Sequence, residues 1–395
     1  MKKTLLTICL VWMCFSLSAQ KIIDLSGKWS FSIDRQDNGE KEKWFSHTLN
    51  DFINLPGSMP EKLKGDEVTA KTQWTGSLYD SSYYYNPYME KYRKEGNIKF
   101  PFFLTPDKHY VGAAWYQKEV NIPADWKGER ILLFLERPHI ETTVWVNGQK
   151  TGMQNSLCVP HQYDITRYVR PGKCTITIRV DNRIKEINVG PDSHSITDQT
   201  QGNWNGIVGR ICLQTTPKTY FDDIQIYPEP EQKLARVKVV IKGTGTAKVK
   251  LSAESFNTDK KHIVPAIQQE IKLNKGVTET EMVLPMGNDM LLWDEFHPAL
   301  YKLKAEVTNG KKTEIKEIQF GMRRFEIKGK WFYVNGRKTQ LRGTVENCDF
   351  PLTGYAPMDV ESWERVFRIC RNYGLNHMRF HSFCPPEAAF MAADR

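Results

Sequence analysis

The stretch from Phe320 to His381 changes the period of the hydrophobic pattern, and that change limits the folds open to the chain. Before it, Tyr301, Leu303, Ala305 and Val307 alternate with Lys302, Lys304 and Glu306. An apolar residue at every second position marks a strand with one dry face and one wet one. Within it, Lys330 to Val334, an Asn335-Gly336 turn and Lys338 to Leu341 read as a hairpin. Both turn residues tolerate the positive φ that a type I′ turn requires. Asp359 is then placed to cap a helix whose apolar stripe is Val360, Trp363, Phe367, Cys370 and Tyr373, ending at Gly374. Leu375 to Phe380 follows as a short strand. Strand, helix, strand is the opening of a βαβ array, so the chain holds at least two architectures.

The residues from Lys21 to about Pro217 read as many short strands. Arg130 to Leu135 is an apolar run, and Thr142 to Val146 leads into a second Asn-Gly turn at Asn147-Gly148. Ile176, Ile178 and Val180 alternate with Thr175, Thr177 and Arg179, the period of a half-buried strand. This spacing suits an antiparallel jelly roll or sandwich. Between Trp74 and Trp115 lies an insertion rich in aromatics, among them Tyr79, Tyr83, Tyr84, Tyr85, Tyr88, Tyr92 and Phe100 to Phe103. Their rings can stack on the C–H face of a pyranose, or simply pin an irregular loop to the sandwich. From about Thr219 to Gly321, Val237, Val239 and Ile241, then Ala247, Val249 and Leu251, alternate with polar neighbours. That segment reads as an immunoglobulin-like sandwich with no cluster suggesting chemistry.

At 395 residues the chain exceeds one ordinary core. Its net charge of +9 is spread without a basic block, which argues for a solvated surface rather than a nucleic-acid site. Lys2-Lys3, the short apolar run Leu5 to Phe15 and the small residues up to Ala19 read as a secretory leader, predicting a periplasmic or extracellular protein. No later stretch is long and apolar enough to span a membrane. Cys158, Cys174, Cys212, Cys348, Cys370 and Cys384 are widely spaced with no CxxC pair, which argues against zinc. They are expected either as buried free thiols or, in an exported protein, in a disulfide.

Polar residues crowd the ends of the two late strands. His377, Arg379 and His381 share one face by period two, and Glu346, Asn347 and Asp349 stand at the corresponding end of the preceding strand. In a (β/α)₈ barrel such positions build the active face.

Three passages carry a resemblance. Trp115-Tyr116, Val144-Trp145-Val146-Asn147-Gly148 and Tyr163-Asp164-Ile165-Thr166 belong to the first, and Asn203-Trp204-Asn205-Gly206-Ile207-Val208-Gly209-Arg210-Ile211 is the second. Phe320-Gly321-Met322-Arg323, Leu341-Arg342-Gly343 and Asn376-His377-Met378-Arg379 form the third. In this order they resemble the family 2 glycoside hydrolases, the group of β-galactosidases and β-glucuronidases. The resemblance implies a mainly β protein: a leader at 1–19, a jelly-roll sugar-binding-type domain at 20–217 and an immunoglobulin-like sandwich at 218–322. The first βα units of an incomplete (β/α)₈ barrel would occupy 323–395.

The resemblance further implies retaining hydrolysis of β-glycosidic bonds by two glutamates about 5 Å apart, with an oligosaccharide or polysaccharide as substrate and no cofactor or metal. In the family those glutamates stand on the fourth and seventh barrel strands. The 73 residues from 323 to 395 compare with about 250 for a whole barrel, so both glutamates are expected beyond Arg395 and the isolated chain is expected to be inactive. Arg379 matches an arginine that would hold the nucleophile carboxylate ionised. His381-Ser382 stands where relatives often carry Ser-His, which changes the ring's reach to the sugar, and Asn347 stands where β-galactosidases often carry His, which argues against assuming galactose. Asp349 is a further sugar-binding candidate, and Glu346 lacks a second carboxylate to work with. Asn203 and Trp204 fall in a loop that reaches towards the barrel mouth in relatives, where Trp204 is equally suited to the core. Two other readings stand beside the hydrolase: a carbohydrate-binding protein made of the two sandwiches, and an interaction scaffold. Two strands and one complete helix cannot close a barrel, so the last 70 or so residues are expected to be poorly ordered or to pack onto the sandwiches.

Overall fold

The computed structural model describes residues 20–69, 71–72, 85–98, 104–185, 196, 201–274 and 276–395. The leader reading therefore lies outside the described residues, as do Tyr79, Tyr83, Tyr84 and Phe100 to Phe103 of the aromatic insertion. Of that insertion's described tyrosines, Tyr85 and Tyr88 are exposed and pin nothing to the sandwich.

The first unit is two antiparallel sheets face to face. The smaller places Ile22–Asp24, Gly206–Thr216, Arg130–His139 and His161–Asp164 side by side, with Gly57–Ser58 joining Gly206–Thr216. The larger runs Gln149–Asn155, Glu141–Val146, Gly172–Asp181, Ala113–Ile122, Gly27–Asp34 and Asp51–Leu55. Alternate side chains from both sheets, such as Leu133, Leu135, Ile207 and Leu213 against Trp29, Phe31, Ile176 and Ile178, fill the space between them. Asn147 and Gly148 take φ of 50° and 77°, as the type I′ hairpin requires.

The larger sheet departs from the alternation expected of it. Its outer side chains Thr177 and Arg179 are buried as fully as the inner ones. The cause is the chain after Asp34, which folds over that face and lays Trp44, Phe45 and Leu49 on Trp115 and Trp145. Gly39 makes the approach possible, since a Cβ there would fall 2.5 Å from Trp115 Nε1. A buried guanidinium needs counter-charge, and Arg179 meets Asp37 at 2.6 Å, Asp181 at 3.0 Å and Glu141 at 3.4 Å. Burial acts to raise the Asp181 pKa, but Arg183 and Lys185 also donate to it and hold the carboxyl well below its ordinary range.

The second unit pairs a three-stranded sheet (Tyr220–Glu229, Leu234–Lys242, Val277–Pro285) with a four-stranded one (Ile263–Leu273, Gly245–Phe256, Leu300–Asn309, Lys312–Phe320). Its core is the one the alternation predicts: Val237, Val239, Ile241, Val249, Leu251, Leu303, Ala305 and Val307.

Beyond Met322 a hairpin sheet (Phe325–Lys328, Trp331–Val334, Arg337–Thr339) precedes a parallel pair, Gly343–Glu346 with His377–Phe380. The helix Val360–Asn372 crosses between them, capped by the Asp359 carboxylate accepting from Ser362 N at 2.8 Å. A second helix spans Glu387–Asp394. Trp363, Met378, Phe380 and Ala389 share a small core. This segment lies on both sandwiches. Ser58 Oγ donates to Thr353 O at 2.6 Å, Arg210 pairs with Glu387 at 2.6 Å, and Arg342 pairs with Glu295 at 3.0 Å.

Leu133 is fully buried between the two sheets of the first unit, so Leu133→Ala should remove about 3 kcal/mol of its stability. Urea unfolding followed by tryptophan fluorescence should show a lower midpoint at unchanged slope.

Candidate functional site

The register of the parallel pair sorts the predicted site residues into two groups. Val345 lies opposite Arg379, and Glu346 opposite Phe380. Met378 and Phe380 turn into the small core under the helices. The alternate set, Val345 and Asn347 with His377 and Arg379, turns to the open side and is exposed. Glu346 is thus on the helix-side face, where its Oε1 accepts from Cys348 N at 2.9 Å. Arg379 lies on the open side opposite Val345, while Asn347 (exposed) and His381 (half-buried) follow the ends of the two strands. Asp349 is set apart from them, half-buried in the following loop with Oδ1 lacking a partner. Burial, and then the Glu346 charge, raise its carboxyl pKa.

Asn203 and Trp204 belong to a different neighbourhood. Asn203 Nδ2 donates to Asn182 O at 2.9 Å and its side chain is buried. Trp204 is buried where the first sandwich meets the βαβ segment. Its ring stacks on His139 at 4.6 Å and tilts against Tyr355 at 5.5 Å. Tyr355 in turn donates its hydroxyl to Glu61 Oε2 at 2.9 Å. Burial and the Glu61 charge raise the phenol pKa, so it stays a donor. From the same loop, Gln201 Nε2 donates to His381 O at 2.5 Å, tying the end of the second parallel strand to the sandwich.

Between these partners lies a cavity of about 410 Å³, inside the roughly 300–1,000 Å³ range of small-molecule sites. The first sandwich supplies Arg137, His139 and Trp204 to its wall, and the loops after the two parallel strands supply Cys348, Ser382 and Cys384. Sequence reasoning missed Arg137 and His139. The signal for them was the run Glu136-Arg137-Pro138-His139, polar residues closing an otherwise apolar strand. The six cysteines carry free thiols. Burial pushes the Cys348 thiol up to about 12, so it is a proton-bearing wall group rather than a nucleophile. Among the described residues no three His, Cys, Asp or Glu side chains are disposed to hold a metal ion.

Residues 22–217 match the family model of the glycosyl hydrolases family 2 sugar binding domain, and residues 219–323 match the glycosyl hydrolases family 2 model. The chain belongs to glycosyl hydrolase family 2. It is 23% identical to a β-glucuronidase of Paenibacillus borealis, covering 95% of this chain and 57% of that one. The β-glucuronidase of Homo sapiens is likewise 23% identical, with 94% and 55% covered. The chain therefore spans little more than half the length of these curated relatives. A β-glucuronidase structure from Ruminococcus gnavus in complex with D-glucaro-d-lactam superposes with a TM-score of 0.68 at 19% identity, over 95% of this chain and 58% of that one. A family 2 member from Bacteroides cellulosilyticus gives 0.67 at 21%, with 95% and 46% covered. These structural likenesses establish a shared fold for this mainly β chain. No helix among the described residues is long and apolar enough to cross a membrane.

His139 supplies a pH test. Burial, set against a nearby Asn203 and reinforced by the Arg137 charge, lowers its pKa to about 3. The unfolded chain binds this proton near pH 6.5 while the folded one refuses it. Stability must therefore fall as pH drops from about 6.5 towards 3, by up to about 1.4 kcal/mol per pH unit. His161, lowered to about 4 by burial, adds a fall of the same sign. Thermal melts at pH 7 and pH 4 should differ, and His139→Gln should shrink the difference.

Proposed function

We propose that this chain is the glycan-facing N-terminal part of an exported enzyme that hydrolyses β-glycosidic bonds of oligosaccharides or polysaccharides with retention. The observation that carries the reading is the succession of two family 2 domain matches followed by a parallel βαβ unit with Arg379 exposed at its open face. We read 1–19 as a leader, 20–217 as the sugar-binding domain, 218–322 as an immunoglobulin-like spacer and 323–395 as the start of a (β/α)₈ barrel. Neither cofactor nor metal enters the mechanism.

In this reading the residues at hand support chemistry performed by a pair of glutamates on later barrel strands. Arg379 sits on the barrel-interior side of its strand, where a guanidinium lowers the pKa of a neighbouring carboxylate and keeps a nucleophile ionised. Asn347 and His381, which follow the ends of the two strands, offer hydrogen bonds to sugar hydroxyls. Asp349 accepts from a hydroxyl at the rim. The departure of Asn347 from the residue common in β-galactosidases leaves the sugar open between the β-glucuronidase and β-galactosidase types among the relatives.

The test uses two proteins. The chain of 395 residues is expected to give no turnover of 4-nitrophenyl β-glucuronide or β-galactoside, because retention needs the two glutamates. A protein carrying the whole barrel is expected to turn one of them over. In that protein Arg379→Met should raise the acid limb of the kcat/KM profile by about 1–3 pH units. Turnover by the pure short chain, or an unmoved acid limb, would overturn the assignment.

A further inference from the structure

Arg137 is charged and half-buried, and the acceptors it meets are all neutral. Its Nη1 donates to Cys384 O at 2.8 Å, and its Nη2 to Cys158 O at 3.1 Å and Pro385 O at 3.2 Å. Its Nε–H is buried with no acceptor, and among the described residues no carboxylate pairs with it. Other guanidiniums of the same sandwich are treated differently. Arg179 meets three carboxylates, and Arg210 meets Glu136 at 2.9 Å and Glu387 at 2.6 Å. A cation removed from water without a counter-ion is costly, and this one lines the cavity of about 410 Å³.

The rest of the wall points to the kind of anion. His139 is more than nine-tenths buried, and its Nε2 also has no hydrogen-bond partner. Trp204 gives the wall a flat aromatic group, itself backed by the His139 ring. Gln201 and Ser382 add polar atoms at the side of the second parallel strand. Apolar ring atoms of Trp204, a few fixed polar groups and one uncompensated guanidinium suit a sugar ring that bears a carboxylate. The cavity lies behind the strand ends, on the sandwich side, and neither Asn347 nor Arg379 lines it. It is therefore separate from the face assigned to bond cleavage.

We propose that this cavity is a subsite for an anionic sugar residue of the uronate class, with its carboxylate on Arg137 and its ring beside Trp204. The inference rests on the glycan-hydrolase reading above and adds a second contact, away from the scissile bond, for an acidic glycan. Binding involves no covalent step.

The thiols provide a reporter. Cys158 and Cys384 line the cavity, whereas Cys370 lies on the crossover helix and does not. The full chain is labelled with N-ethylmaleimide and read by peptide mass spectrometry. Labelling is run with methyl β-D-glucuronide, with methyl β-D-glucoside and with sodium sulfate, alongside calorimetric titration of each. We expect the glucuronide to bind at least tenfold more tightly than the glucoside and to slow labelling of Cys158 and Cys384 at least threefold, leaving Cys370 unchanged. Arg137→Gln should abolish the preference for the acid, with the unchanged slow labelling of buried Cys174 showing that the sandwich remains folded. The wild-type protection pattern tests the site even if that variant fails to fold. Equal binding of both glycosides, glucuronide binding without cavity protection, or equal protection by sulfate (an adventitious ion only) would each overturn the subsite. None of those outcomes touches the hydrolase reading, which stands or falls on turnover by the barrel-bearing protein.

Discussion

The pairing of Arg130–His139 with Gly206–Thr216 is the constraint on which the rest of the structure depends. In register, Gly206 lies opposite His139 and Val208 opposite Arg137, after which the pairing shifts before Ile211 meets Leu135. The shift is a bulge at Gly209, whose φ of 72° suits glycine. It brings Arg210 N within 2.8 Å of Glu136 Oε2 and sends the Arg210 head to Glu387 on the last helix. One end of this strand pair therefore closes the sandwich core, while the other carries Arg137, His139 and the Asn203-Trp204 loop out to meet the βαβ segment. A slip by one residue would exchange the two faces of each strand and lose both.

How much of this was legible varies by region, for physical reasons. The second sandwich could be read almost residue by residue, because an antiparallel sheet with one wet face writes a period of two into the sequence. Both Asn-Gly turns and the Asp359 cap were legible because they are decided by local backbone geometry. Burial of Thr177 and Arg179 was not, since it depends on a loop about 130 positions away that no local period reports. The last 70 or so residues were left between two outcomes, and the structure takes the second: they pack onto both sandwiches through Ser58, Arg137, Arg210 and Glu295.

The candidate site was half legible. Period two puts His377, Arg379 and His381 on one face of the second strand, and the register pairs His377 with Gly343 and Arg379 with Val345. The cavity escaped, because its walls come from the close of one apolar strand and from loops elsewhere in the chain. The sequence suits Trp204 to the core and to a loop towards the barrel mouth alike. Buried against His139 and Tyr355, it belongs to a core that exists only where two domains touch.

Arg137 and the Cys384 carbonyl it holds are 247 positions apart. During synthesis the first sandwich can complete its sheets and bury its own core long before residue 384 appears. During that interval Arg137 and His139 face water. Water satisfies their nitrogens well, so a half-made chain carries no penalty at this place. Only when residues 384 and 385 arrive does the solvent leave and the guanidinium become expensive to leave without an anion. The cost of holding the Arg137 charge away from water thus arises only after the sandwich that carries it has folded.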